Sequence, residues 1–188
     1  MAESEKARFV TYYFNGLREK PFPLEERVII PSLKIPTYDL QPAMSARKIT
    51  STLIQQIATS KYPFILVNFA NADMIGHTGN FSAGIEAVKT IDSCVGQIVS
   101  VARQYNYAVL ITADHGNIEE MIDLKTGMVS TEHTGNPVPL IIINDRFKDK
   151  PLRLDMGILA DVAPTILAMM QIPKSNVMTG RNLLQNSF

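Results

Sequence analysis

The sequence predicts an α/β fold, built on a mostly parallel β-sheet with helices on both faces. Two observations carry that expectation. Short, uniformly apolar runs alternate with stretches whose apolar residues recur at helical spacing. Runs without a polar alternation suit strands buried on both faces, as in parallel sheets covered by helices. A third observation fits the same architecture: Asp73, His77, Asp114 and His115 follow apolar runs closely, and ligands of such sheets bind outside the carboxyl ends of the strands.

Taken in order, Phe9, Val10, Thr11, Tyr12, Tyr13 and Phe14 are β-branched or aromatic and predict a strand. Asn15 and Gly16 end it. Residues 17–44 carry Pro21, Pro23, Pro31, Pro36 and Pro42, which predicts ordered loop with one short strand over residues 28–30. Ser45 reads as an N-cap, and Ala46, Ile49, Leu53 and Ile57 predict an amphipathic helix over residues 46–59. Residues 64–67 (Phe64, Ile65, Leu66, Val67) read as a buried strand that ends in a loop carrying Asp73 and His77. Ile85, Val88, Val95, Val99 and Ala102 trace a helical stripe across residues 82–104. A strand over residues 107–112 leads to Asp114, His115, Gly116 and Asn117. A short helix over residues 117–124, a turn at Lys125, Thr126 and Gly127, and a strand over residues 140–143 follow. Residues 159–170 read as a last helix, with Pro164 in its first turns.

At 188 residues the chain suits one domain with room for a small extension. Its composition is 46% apolar, ample for a core, and 18 basic residues balance 18 acidic ones. No basic patch dominates, so a nucleic-acid partner is not expected. One cysteine, Cys94, excludes an internal disulfide and fits a reducing compartment. The first residues are charged where a signal peptide is apolar, and no apolar run approaches the roughly 20 residues of a membrane span. These features predict a cytoplasmic protein with no membrane partner.

The chain has three histidines, and all three lie beside predicted strand ends. With Asp73 and Asp114 they could bind one or two divalent metals. Imidazole with carboxylate suits manganese, zinc or iron better than calcium or magnesium. Two such ions could clamp both oxygens of an in-line phosphoryl displacement. Plainer roles compete: Asp114 as a helix cap, Asp73 holding a turn, each histidine as an ordinary hydrogen-bonded residue. No Gly-x-Ser-x-Gly elbow and no phosphate-cradling Gly-rich loop occurs. Lys6 could meet an anionic group, although a near-terminal lysine is more often solvated. Cys94 lies on a helical stripe and reads as core.

Three motifs resemble a known family. Asn71 to Gly79 (Asn-Ala-Asp-Met-Ile-Gly-His-Thr-Gly), Thr112 to Asn117 (Thr-Ala-Asp-His-Gly-Asn) and Thr131 to Thr134 (Thr-Glu-His-Thr) together look like the C-terminal part of cofactor-independent phosphoglycerate mutases, within the alkaline phosphatase superfamily. Glu5 and Lys6, the block at Thr37, Tyr38, Asp39 and Leu40, Met44 with Ser45 and Ala46, residues 159–165, and Met178 with Thr179 and Gly180 extend the resemblance across nearly the whole chain. Leu17 and Ala43 depart from the usual residues, and neither touches a metal motif.

The resemblance implies an alkaline-phosphatase-like fold and a dimanganese enzyme of glycolysis and gluconeogenesis. It interconverts 3-phosphoglycerate and 2-phosphoglycerate through a phosphoserine intermediate. Asp73, His77 and His133 would hold one Mn2+, Asp114 and His115 would contribute to a second, and Lys6 would contact the phosphoryl group. Family members are much longer. Residues 1–188 would then be the C-terminal part of the metal-binding domain. The N-terminal segment with the serine nucleophile, and the inserted domain that holds the phosphoglycerate, would be absent. On that reading the sheet is incomplete, one metal site is nearly complete, and the chain alone is inactive. Two chains could cover the exposed sheet edge by pairing. Competing readings are another phosphotransferase or phosphohydrolase of the superfamily, and a non-catalytic metal-binding module.

Overall fold

The computed structural model describes residues 1–148 and 154–184. The chain divides into two compact units, Met1–Asn144 and Asp145–Phe188, where the sequence suggested one domain with a small extension. Residues 149–153 and 185–188 of the expected span lie outside the described residues.

In the first unit, strand β1 (Ala2–Glu3) runs parallel to β2 (Ile29–Ile30), with Ala2 opposite Ile29 and Glu3 opposite Ile30. Glu3 is fully buried. Its Oε1 accepts the Ser32 hydroxyl at 2.8 Å and its Oε2 accepts the Ser45 N–H at 3.2 Å. A buried carboxylate survives only when so satisfied, and this one ties the amino end to the start of helix α1 (Ala46–Ala58). Ser45 stands at the N-cap but does not cap through its side chain; its hydroxyl donates to the Pro31 carbonyl at 3.0 Å. The helix itself matches the sequence expectation within a residue, and Ile49, Leu53 and Ile57 are its buried stripe.

Residues 9–14 do not form a strand. A 3-10 helix spans Ser4–Val10, and turns continue through bonds from the Tyr13 N–H to the Arg8 carbonyl (2.9 Å) and from the Asn15 N–H to the Thr11 carbonyl (2.8 Å). β-propensity expresses packing on a pleated neighbour rather than an intrinsic backbone preference. Here the rings find local partners instead: Arg8 lies 4.4 Å over Tyr12, Lys6 lies 4.6 Å over Phe9, and Phe14 stacks on Phe64.

The apolar run at residues 64–67 also joins no named strand. Its backbone bonds are to Met1, whose ammonium donates to the Leu66 carbonyl (2.7 Å) and whose carbonyl accepts the Asn68 N–H (3.0 Å). The run is nevertheless partly buried: Ile65 and Val67, with Phe69 beyond it, pack on the core residues Leu53, Ile57, Ile98 and Ala102, while Phe64 is exposed. Burial decided its position, while two bonds to one residue are too few for a ladder.

Helix α2 (Asn71–Gly76) precedes the long α3 (Phe81–Gln104). Asn80 caps α3 by accepting the Ala83 N–H at 3.2 Å. Its buried face is Ala83, Gly84, Ala87, Thr90, Cys94, Ile98 and Ala102, so Cys94 is core as expected. The stripe read from the sequence is misplaced at its start, since Ile85 and Val88 are exposed. Small residues let neighbouring backbones approach, and that close approach selected the buried face over side-chain hydropathy.

Strands β3 (Val109–Ile111) and β4 (Ile141–Ile143) pair antiparallel, Leu110 facing Ile142. The expected mostly parallel sheet is therefore replaced, among the described residues, by two separate two-stranded sheets, one parallel and one antiparallel. The physical reason lies in the connection. A parallel return needs a crossover of a dozen or more residues, usually a helix. The helix expected over residues 117–124 is only a 3-10 turn, Ile118–Glu120. Ile122 then bridges back to Val129 around Gly127, whose φ is +70°.

In the second unit a 3-10 turn, Leu159–Asp161, leads into α4 (Val162–Met169), with Pro164 in its first turn. Asp161 is buried; its carboxylate accepts the N–H of Ile158 (2.9 Å) and of Arg181 (2.8 Å). Thr165 donates to the Asp161 carbonyl and accepts the Leu183 N–H. Gly180 is required beside this turn, because a Cβ there would lie 1.9 Å from the Ala160 carbonyl oxygen.

The Arg181 and Ile158 N–H groups hold the Asp161 carboxyl below its usual pKa. A depressed folded-state value contributes stability at neutral pH that is lost as pH falls through the acid range. Asp161→Asn is expected to lower Tm at pH 7, with the gap to the parent closing below about pH 4. Thermal melts across pH check this, and a gap independent of pH would contradict it.

Candidate metal centre

Asp73 and His77 sit one turn apart, Asp73 within α2 and His77 at its C-cap, not in the loop the sequence suggested. The turn is anchored by Asn71, which is fully buried and whose amide donates to the Pro42 carbonyl at 2.6 Å. Residues four apart on a helix share a face, and Asp73 Oδ1 lies 3.1 Å from His77 Nε2. His77 Nδ1 meets the Thr131 carbonyl at 2.7 Å. A carbonyl only accepts, so Nδ1 carries a proton and Nε2 is the nitrogen turned to the carboxylate. Such a backbone partner on the far nitrogen is the usual support of a metal-binding imidazole.

The segment that supplies Thr131 also supplies His133. Its Nε2 lies 3.2 Å from Asp73 Oδ1 and 3.1 Å from His77 Nε2. The three candidate ligand atoms of Asp73, His77 and His133 all lie within 4.8 Å of one another. His115 stacks on His133 with ring centroids 3.7 Å apart, and its Nε2 is 3.8 Å from Asp73 Oδ1 and 3.6 Å from Asp114 Oδ2. Asp114 is exposed at the rim and caps no helix; that position belongs to Asn117. Lys6 completes the group from the 3-10 helix, its Nζ 2.5 Å from Asp73 Oδ2. All six residues singled out in the sequence therefore meet.

Asp73 is the hub. Burial pushes its carboxyl pKa up, but the Lys6 hydrogen bond and charge, with His77 and His115, hold it below the usual range. It is thus an anion with one oxygen on Lys6 and the other surrounded by imidazoles. His77 Nε2 and His133 Nε2 stand 3.1 Å apart, close enough for a proton or a cation to be shared between the rings. Two nitrogens and one carboxylate oxygen suit manganese, cobalt, iron or zinc better than calcium or magnesium.

Three supporting residues were missed in the sequence. Thr131 fixes the His77 tautomer through its carbonyl, which no side-chain pattern could reveal. Asn117 is buried with its amide nitrogen 3.5 Å from His77 Nε2. Glu119 accepts the Asn117 N–H at 2.7 Å and also binds Thr134 and Asn136. The glycines beside the ligands were the available signal. Their role is space rather than backbone freedom: a Cβ on Gly76 would fall 1.8 Å from Asn117 Oδ1, and one on Gly116 would fall 2.2 Å from Thr134 Oγ1.

The profile of the metalloenzyme superfamily matches residues 1–174. The chain belongs to this superfamily. Among curated relatives of this metalloenzyme chain is the 2,3-bisphosphoglycerate-independent phosphoglycerate mutase of Thermomicrobium roseum. It is 50% identical over 186 residues, which cover 97% of this chain and 35% of the relative. The Methanosarcina barkeri mutase 2 is 53% identical over 184 residues, covering 98% of this chain and 34% of its own. The chain thus spans about a third of the length of the curated relatives it matches. A crystal structure of Leishmania mexicana phosphoglycerate mutase at low cobalt concentration superposes with a TM-score of 0.85 at 28% identity, over 96% of this chain and 36% of that one. The α/β, alkaline-phosphatase-like class expected from the sequence therefore stands, although the described residues form only the two short sheets above.

Gly76→Ala is expected to destabilise the first unit by about 1–3 kcal/mol, the usual cost of overpacking, because Asn117 must leave its buried position. Urea denaturation measures this. An unchanged midpoint would mean that Asn117 yields freely.

Proposed function

We propose that this chain is the metal-binding part of a cofactor-independent phosphoglycerate mutase, a cytoplasmic enzyme interconverting 3-phosphoglycerate and 2-phosphoglycerate. The observation that carries the reading is the convergence of Asp73, His77 and His133 in a chain half identical to part of several such mutases. Asp73, His77 and His133 would hold one Mn2+, while Asp114 and His115 would contribute to a second, weaker site. When bound, the metals supply Lewis-acid contacts that neutralise charge on a transferring phosphoryl group. Lys6 is largely buried and held by Asp73, so its ammonium is oriented into the site and can pair with phosphoryl oxygens. The Thr131 carbonyl holds His77 through Nδ1, which would leave Nε2 for a metal. The phosphoserine step would need a positioned nucleophile, which would come from the part of such a mutase that this chain does not match.

Calorimetric titration with Mn2+ tests the site. One tight site is expected in the chain, lost in His133→Ala; two equivalent tight sites, or none, would count against the assignment. A coupled assay from 3-phosphoglycerate, with manganese and without bisphosphoglycerate, tests the activity. No turnover is expected from the chain alone, and turnover is expected when the remaining part of a related mutase is added. Turnover by the chain alone that His133→Ala abolishes would place the nucleophile within it and overturn the account.

A further inference from the structure

The loops that carry His115 and His133 are held together by one side chain that is not itself at the centre. Glu119 lies just past the His115 loop, in the 3-10 turn Ile118–Glu120. Its Oε2 accepts the Asn117 N–H at 2.7 Å. Its Oε1 accepts the Thr134 hydroxyl and the Asn136 amide, the latter at 3.1 Å. Thr134 immediately follows His133, and its N–H donates to the Gly116 carbonyl at 2.9 Å. Gly116 immediately follows His115, and a Cβ there would fall 2.1 Å from Glu119 Oε1, so any larger residue would push the carboxylate aside. The third element is reached through Asn117, whose side chain lies against Gly76 and 3.5 Å from His77 Nε2.

We infer that Glu119 is a positioning residue for the metal centre: its carboxylate sets the spacing of the His115 and His133 loops and, through Asn117, seats both against His77. The argument is geometric. His133 comes from an irregular segment with no helix or named strand of its own. The described backbone link from that segment to the His115 loop is the single bridge between Gly116 and Thr134. Beyond that bridge, the Thr131 carbonyl on His77 holds the near side of the segment, and the side past His133 depends on side-chain contacts. The carboxylate adds two side-chain grips beyond it, and a charged acceptor makes hydrogen bonds about twice as strong as a neutral one. Outer partners of this kind typically alter metal affinity by about 10–100-fold when removed. The inference rests on the metal site proposed above.

The test is a double-mutant cycle on the whole chain, combining Glu119→Ala and Thr134→Val, with Mn2+ affinity by calorimetry and the visible spectrum of the Co2+-loaded protein as readouts. Glu119→Ala is expected to weaken Mn2+ about 10–100-fold and to change the cobalt spectrum, with one site still filled at saturation. Thr134→Val is expected to weaken it in the same direction. The double variant is expected to be little weaker than Glu119→Ala, because both remove the same link. A purely stabilising role would lower Tm and leave the spectrum of the loaded protein unchanged. Affinity within about twofold of the parent with an unchanged spectrum in either folded variant overturns the inference, as does strict additivity. If Glu119→Ala fails to fold, Thr134→Val alone decides by the same criterion. Absence of Mn2+ binding in the parent chain would instead defeat the metal assignment, and this inference with it.

Discussion

The Asp73 carboxylate is shared among four partners, and the arrangement of the first unit follows from satisfying it. One oxygen takes the Lys6 ammonium at 2.5 Å. The other lies within 3.1 to 3.8 Å of His77, His133 and His115. These partners come from the 3-10 helix after β1, from the end of α2, and from two loops flanking β3 and β4. A partly buried anion must be compensated from nearby, and here compensation comes from four separate parts of the chain. Lys6 lies against one oxygen of Asp73, while three imidazoles crowd the other.

Around that hub the scaffold is economical in regular structure. α1 and α3 supply the packed layer, with Leu53 and Ile57 against Ile98 and Ala102. A second cluster of Met44, Ala70, Ile75, Ala83 and Ala87 sits directly beneath α2. Burying a side chain the size of Ile75 or Met44 contributes about 1.5–3 kcal/mol, and the alanines let the elements approach, so this cluster can hold a six-residue helix that would not persist alone. Asp73 and His77 thus owe their fixed separation to Ile75, the fully buried residue between them, and to Asn71 at the start of the turn.

What the sequence made legible follows the same division. The candidate site was readable in part: three histidines and two aspartates beside apolar runs suggested a metal centre without excluding plainer roles, and the ligand set itself came from the resemblance of the motifs to a known family. The helices α1 and α3 were readable because their length lets periodicity accumulate. Residues 9–14 misled because aromatic and β-branched residues signal burial on a pleated surface, and here rings and cations provide the partners. The antiparallel pairing of β3 with β4 was not legible for a topological reason: apolar runs at residues 107–112 and 140–143 identify strands but carry no direction. Glu119 was illegible altogether: its role depends on Thr134 and Asn136, which only the folded chain brings to it.

The glycines unite these strands of reasoning. Gly76 and Gly116 each stand next to a candidate ligand, and each abuts the side chain that supports another part of the site, Asn117 in one case and Thr134 with Glu119 in the other. Neither adopts a left-handed backbone, so conformational freedom is not what they supply. They supply the missing methyl that lets two loops and a helix turn converge within hydrogen-bonding distance. A side chain at either position would separate ligands before it disturbed any of them directly. The glycines beside His77 and His115 are therefore part of the geometry of the centre, and the Gly-His and His-Gly dipeptides are better read as records of close approach than as turns.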